Sequence, residues 1–567
     1  MAGGAVIAPA RRTKSARRGI DGFEAGLLLV MGLLSLWVVG SDLWQPIAHG
    51  LVWTHTDGYF IVDQLQYLAW IQSSAQHFLV SDQYVLRSTP ADYFQPAIII
   101  SGLLVRLGVA AWLALMLWKP VAVVGLFLAV RAAAHHSFGR RLDRRVALTL
   151  GLLFGSLSAV YGSLGTVGDM MPFWQSWGYP FGLMALALVV FGLVGYARAH
   201  TQRRLVWWPG LLGALAGMLH PWQGELMILI VGGAELVCWR DTLRWWQAAR
   251  SDHARPRTRA RLLTDPRVTL PVATVVLVAV PLLYYLGLGH LDLVWKLASQ
   301  QSNHDWSWSA IAIAVAPLAV FAALGYRGRP DDFFELLIRL WPAAALVIYL
   351  LSLTVLGATP LHAVEGIAIP LALLAVKGAR RSGLQRIPHG QIVAWAAVLV
   401  GTVPAISYTI AQAHIYTNPT PGNANFVTRD ESHALSYLAH DPTPGGVLTQ
   451  FYLGESLPGL TGRQVNLGNC LWSEPHCYQR SDTADALFGG QLSPVAARVF
   501  VHDSGARFLL ASCLPHADLR RSLGSLVVSF KRFGCADVYQ LASPSRAGVP
   551  VSGAGTAGPR QHQTASS

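Results

Sequence analysis

The sequence predicts a polytopic α-helical membrane protein of about 11 transmembrane helices, N-terminus inside and C-terminus outside, with a small extracytoplasmic α/β domain. Three observations lead there. Eleven apolar stretches punctuate the 567 residues, 53% of which are apolar, and mean hydropathy is +0.40. The loops between them alternate between arginine-rich and arginine-poor. Four of the five cysteines, Cys470, Cys477, Cys513 and Cys535, lie beyond the last apolar stretch, which suits an oxidising compartment.

Charge fixes the orientation. The N-terminus carries Arg11, Arg12, Lys14, Arg17 and Arg18 before the first acid, Asp21. The loops after spans two, four, six, eight and ten are also basic, ending with Lys377, Arg380, Arg381 and Arg386. Positive residues are retained on the cytoplasmic side, so these loops face in and the others face out. The net charge of +13 sits in such short loops, not on one face, which argues against a nucleic-acid partner.

Residues 1–20 form a basic cytoplasmic tail, and 21–414 the transmembrane domain. Span one, near 24–41, lacks a small-residue cleavage site after Gly40 and reads as a retained signal anchor. A large outer loop, 42–95, follows; within it Leu65, Leu68, Ala69 and Gln72 give helical spacing over 63–76. The apolar run 96–106 is too short to cross and ends at Arg106, so it reads as a helix lying at the outer interface. Span two, 107–130, is broken only by Lys119. Spans three and four fall near 146–165 and 180–197. Spans five and six, 205–219 and 223–239, meet at His220-Pro221-Trp222-Gln223, where proline ends one helix and the chain turns back. The last five lie near 268–289, 309–326, 337–356, 366–377 and 391–413.

Composition changes from His414. Over 415–542, β-like runs at 446–451, 508–511, 526–530 and 537–541 alternate with helix-like runs at 431–440 and 493–503, a small α/β domain. Its four cysteines allow three pairings; proximity favours Cys470–Cys477 and Cys513–Cys535. Residues 543–567, rich in Gly, Ser, Ala and Pro, read as a disordered tail.

The outer loop concentrates polar chemistry: His55, Asp57, Asp63, Tyr67, Asp82, Arg87 and Asp92. Its segment Asp63-Gln64-Leu65-Gln66-Tyr67 resembles the first-loop Asp-x-x-x-Tyr signature of the GT-C superfamily of integral-membrane glycosyltransferases, which use polyprenyl-phosphate sugars. Residues 82–106, with Tyr93-Phe94-Gln95-Pro96, resemble the juxtamembrane element that follows it. The number of spans and the outer C-terminal domain are similar too. Gln64 stands where many relatives carry a second acid, and Gln95 where some carry lysine. Gly459-Leu460-Thr461-Gly462-Arg463, Leu471-Trp472-Ser473-Glu474-Pro475 and Ser504-Gly505-Ala506-Arg507 resemble the outer domain of actinobacterial GT-C-like membrane proteins.

The resemblance implies a membrane glycosyltransferase that passes a sugar from a polyprenyl-phosphate donor to a cell-envelope glycan or glycolipid, at the outer face of the cytoplasmic membrane, with inversion. Such transfer needs a carboxylate to take the acceptor proton, and Asp63 fits, with Asp57 second. Aspartate at that position also suits the N-cap of the following helix. The departing phosphate needs positive charge; Arg106 and Lys119 are the candidates, snorkelling and an internal ion pair the plainer roles. Tyr67, Asp169 with Trp174 and Trp177, His220 and Glu225 are candidates for lining a substrate cleft. Two further outer loops, with Asp292, His304, Asp305 and Trp306 and with His362 and Glu365, carry the same kind of mixture. No Asp-x-Asp pair in the outer loops supports a bound Mg²⁺ or Mn²⁺, and no cofactor is expected with certainty. The absence of a Gly-x-x-x-x-Gly-Lys loop excludes an ATP-driven pump. Two rivals are a transporter or flippase of lipid-linked sugars, which calls for inverted repeats not seen here, and a non-catalytic assembly partner, for which Gln64 is the hint.

Overall fold

Leucine, valine and alanine dominate the first 400 residues, and in a medium without water their backbone must bond to itself. The result, in a computed structural model, is a helical bundle capped at one end by a helix-and-sheet layer. The structure describes residues 19–57, 60–154, 172, 178–251, 265–300, 308–352, 362, 364–383 and 386–542. Asp169, Trp174, Trp177, His304, Asp305, Trp306 and the 543–567 tail lie outside the described residues.

The bundle comprises α1 (Gly22–His49), α2 (Ile61–His77), α3 (Pro96–Arg106), α4 (Ala111–Met116), α5 (Trp118–Ser137), α6 (Arg141–Leu153), α7 (Pro180–Gln202), α8 (Trp208–Leu219) and α9 (Pro221–Ser251). It continues through α10 (Pro266–Leu291), α11 (Leu293–Ser299), α12 (Trp308–Gly325), α13 (Phe333–Ser352), α14 (Ala368–Arg381) and α15 (Gly390–Tyr416). Against the expectation of eleven spans, six helices among the described residues are long and apolar enough to cross a membrane: Gly22–His49, Ala111–Ser137, Pro180–Gln202, Pro266–Leu291, Phe333–Ser352 and Gly390–Tyr416. Shorter apolar helices, Pro96–Arg106, Trp208–Leu219 and Ile311–Gly325, lie among them. The first span runs on past residue 41, through Pro46, and stops at Gly50 in the left-handed conformation, so the outer loop is shorter than expected.

Polar residues segregate to the two ends of the bundle. At one end Glu24 holds Arg131 (3.0 Å) and His135 (2.7 Å), and Asp21 holds Arg141 (3.0 Å). At that same end Glu335 bridges Lys377 and Arg339, both at 2.6 Å, while Arg380 lies 3.7 Å from Asp143. The arginine-rich loops are thus gathered together and neutralised in part. The other end carries Asp57, Lys119, His220 and Glu365.

The capping layer begins after α15. Strand β1 (Val52–Trp53), from the first loop, pairs antiparallel with β2 (Phe426–Val427), tying the two parts together. There follow α16 (Arg429–His440), β3 (Val447–Thr449), α17 (Phe451–Thr461), α18 (Cys477–Phe488), α19 (Pro494–Ser504), β4 (Phe508–Ala511), α20 (Arg520–Leu523), β5 (Val527–Phe533) and β6 (Ala536–Leu541). The sheet has the order β3-β4-β6-β5; β3 and β4 are parallel and the rest antiparallel. Cys470–Cys477 and Cys513–Cys535 are bonded, the pairings that proximity favoured.

Helix α2 is wedged between bundle and layer, and ten of its residues from Gln64 to Ser74 are buried. Two glycines let it sit so close. A Cβ at Gly102 of α3 would lie 2.5 Å from the Ser74 hydroxyl, and one at Gly459 of α17 would lie 2.9 Å from Leu68 Cβ. Gly459→Val is therefore expected to destabilise the layer's docking by about 1–3 kcal/mol. Thermal unfolding in detergent and proteolysis near residue 420 would read the loss.

Candidate functional site

The first loop places its two best carboxylates in different settings. Asp57 is fully buried and forms an ion pair with Lys119, so the lysine's charge inside an apolar helix is met by an opposite one. Asp42 of α1 adds negative charge nearby. The Gln64 side chain clamps the same loop, accepting from the Asp57 backbone N–H (2.8 Å) and donating to its carbonyl (3.3 Å). Gln64, which stands where relatives carry an acid, thus has a structural role. The cavity beside this pair measures about 10 Å³, room for roughly one water. No sugar fits there.

Asp63 lies in the first turn of α2. It does not cap the helix: the N-cap is Phe60, at φ 53°, with no side-chain cap bond. The carboxyl is half-buried, and burial pushes it up to about 6. Spacing of four puts Tyr67 on the same helix face, one turn on. Tyr67 packs edge-on against Phe181 (4.9 Å between ring centres) and lies 6.3 Å from the Tyr179 ring.

Tyr179 leads to a second polar cluster. Its ring lies edge-on to His220 (5.6 Å) and stacked over His362 (6.3 Å). His220 sits in the extended residue between α8 and α9, with Pro221 opening the next helix. Its Nδ1 is 2.9 Å from a carboxylate oxygen of Glu365, which is fully buried. Burial works to raise the Glu365 carboxyl, but the neighbouring imidazoles outweigh it and hold it down to about 2. Burial pushes His362 down to about 3, and His220 adds to the shift. Glu225, one turn into α9, is near enough to His220 for their charges to interact.

The structure therefore brings together Asp63, Tyr67, His220 and Glu225, and adds Tyr179, His362 and Glu365. It sets Arg106 apart. That guanidinium donates to the carbonyls of Ala75 (2.6 Å) and Ser74 (3.4 Å), closing the C-terminal end of α2. Twelve residues of helix put it roughly 18 Å from Asp63. Gln95, where some relatives have lysine, caps α3 by accepting from the Ile98 N–H.

Sequence reasoning missed Glu455. Tyr84 donates to its backbone carbonyl (3.2 Å), and burial pushes its carboxyl to about 8. Burial likewise raises Asp82 to about 7. Both acids, with Asp63, surround buried Tyr84. Arg87 and Arg480 face one another closely enough to repel, and guanidinium nitrogens of each lack hydrogen-bond partners. An aromatic cluster joins the three regions: Trp472 lies edge-on to Trp70 (5.3 Å) and Trp295 (4.8 Å), with Tyr93 4.7 Å from both.

The whole arrangement superposes on the archaeal oligosaccharyltransferase AglB from Archaeoglobus fulgidus, in complex with an inhibitory peptide and a dolichol-phosphate. The TM-score is 0.52 at 10% identity, over 87% of this chain and 69% of that one. The chain has the GT-C fold. The apo form of the A. fulgidus enzyme aligns at TM-score 0.51 and 11% identity, over 92% of this chain and 75% of that one. ArnT from Cupriavidus metallidurans bound to undecaprenyl phosphate aligns at 0.49 and 14%, over 94% of this chain and 100% of that one. No protein-family model and no curated protein matches the sequence. Asp63 lies on the first helix after α1.

Lys119→Ala is expected to cost about 3–5 kcal/mol, because it leaves Asp57 buried and unpaired. Adding Asp57→Leu should recover most of that loss in thermal unfolding, as expected for a pair whose job is mutual neutralisation.

Proposed function

We propose that the protein is a membrane glycosyltransferase that moves a sugar from a polyprenyl-phosphate donor to a cell-envelope glycan or glycolipid at the outer face of the cytoplasmic membrane. The carrying observation is Asp63: a half-buried carboxyl raised to about 6, at the accessible start of the first-loop helix of a GT-C fold. A general base works best with a pKa near the working pH. The dolichol-phosphate bound by AglB supports a lipid phosphate as the donor's leaving group.

In the proposed reaction the acceptor hydroxyl gives its proton to Asp63 as its oxygen attacks the anomeric carbon. The bond from that carbon to the phosphate oxygen breaks on the opposite face, and its electron pair leaves with the lipid phosphate. The anomeric configuration inverts. Tyr67, His220 and Glu225 would line the cleft. Asp57 and Lys119 would hold the loop rather than touch substrate, and Arg106 would fix the far end of α2. Positive charge on the substrate side would come from Arg87 and Arg480, beside Asp82. The residues after 414 would help to bind acceptor. The arginine-rich end of the bundle would face the cytoplasm.

The test supplies purified protein with radiolabelled polyprenyl-phosphate sugars and envelope acceptors. Asp63→Asn should lower transfer by roughly 10²–10⁴-fold. Because the base must be ionised, wild-type rates should be level above pH 7 and fall about tenfold per unit well below the carboxyl's pKa of about 6. Undiminished transfer by the Asn variant would remove Asp63 from this role; no transfer with any donor would favour the flippase or assembly-partner alternatives.

A further inference from the structure

We infer that His220, His362 and Glu365 form a binding site for one divalent transition-metal ion of the zinc class. Each residue offers one ligand atom, and these atoms all lie within 4.8 Å of one another. A tetrahedral zinc site has ligands about 3.3–3.5 Å apart, so modest side-chain rotation closes the set. Two imidazoles and one carboxylate leave an open position for water or substrate, and imidazole favours zinc over the hard magnesium ion.

A plain histidine–glutamate pair accounts poorly for the local geometry. His220 Nδ1 and Glu365 Oε2 are 2.9 Å apart and the Gln223 side chain also reaches Glu365, yet His220 Nε2 has no hydrogen-bond partner among the described residues. Both side chains are at least 98% buried, where polar atoms left without partners are costly.

The surroundings hold the three in place. Trp222 packs 5.0 Å from His220 and 4.6 Å from His362, and Tyr179 walls the other side. A Cβ at Gly182 would come within 2.9 Å of Glu365 Oε1, and Gly366, at φ +69°, turns the chain from Glu365 into α14. His362 is half-buried and opens the cluster to the cleft beyond. The Asp430, Cys513 and Cys535 group is no competitor, since both its sulfurs are in a disulfide.

The site does not depend on the sugar-transfer reading, because binding is measured without donor. Full-length protein in detergent, stripped by chelator, would be titrated with Zn²⁺ against a chromophoric chelator, and with Mg²⁺ as contrast. The expected result is about one Zn²⁺ per chain, bound at least 100-fold more tightly than Mg²⁺. Glu365→Gln and, as the least disruptive change, His362→Ala should each weaken binding at least tenfold. Cobalt would give the strong visible bands of a tetrahedral site in the wild type and lose them in both variants. No zinc uptake by wild type, or equal uptake by both folded variants, overturns the site. Zinc bound without any transfer activity would leave the site standing and overturn the transferase.

Discussion

Helix α2 lies between the bundle and the capping layer, and its two glycine contacts set how near it comes to each. Gly102 brings α3 against Ser74 on one flank, and Gly459 brings α17 against Leu68 on the other. Held on both sides, the helix has no freedom to rotate, so the face with Asp63 and Tyr67 keeps a fixed aim. Arg106 secures its far end by donating to the carbonyls of Ala75 and Ser74 in the last turn. The placement of Asp63 and Tyr67 is thus set by close packing of small residues elsewhere on the helix.

The two ends of the bundle solve the problem of charge differently. At the arginine-rich end, Glu24 holds Arg131 and His135 while Glu335 serves three cations, Arg339, Lys377 and Arg381, and the network is exposed in places. At the opposite end, Asp57, Lys119, His220 and Glu365 are nearly sealed from solvent. Buried charge is costly, so each must meet a partner of opposite sign or a group that shares its electrons. That difference separates a partly exposed charge network from a buried one. The raised carboxyls of Asp63, Asp82 and Glu455 belong to the second kind.

Much of this was legible in the residues themselves. The turn at His220-Pro221 appears as written, because proline cannot continue α8 yet opens α9 well. Runs 446–451, 508–511, 526–530 and 537–541 became the four sheet strands within a few residues. Local signals failed where distance mattered. His220 and Glu365 are 145 positions apart and look like two ordinary loop residues until the fold joins them. Glu455 sits in an apolar segment that gives no hint of its burial against Tyr84. Lys119 announced a cost but not its partner, 62 positions earlier. Helix α1 runs on past the expected end near residue 41, and Pro46 is tolerated in its last turn, where few backbone bonds remain to be lost.

The bond between Asp57 and Lys119 couples two events in the life of the chain. A lysine cannot rest comfortably in an apolar helix without a counter-ion, and here that counter-ion belongs to the loop after α1. Seating Lys119 in its helix and closing the first loop over it thus require one another in the folded protein.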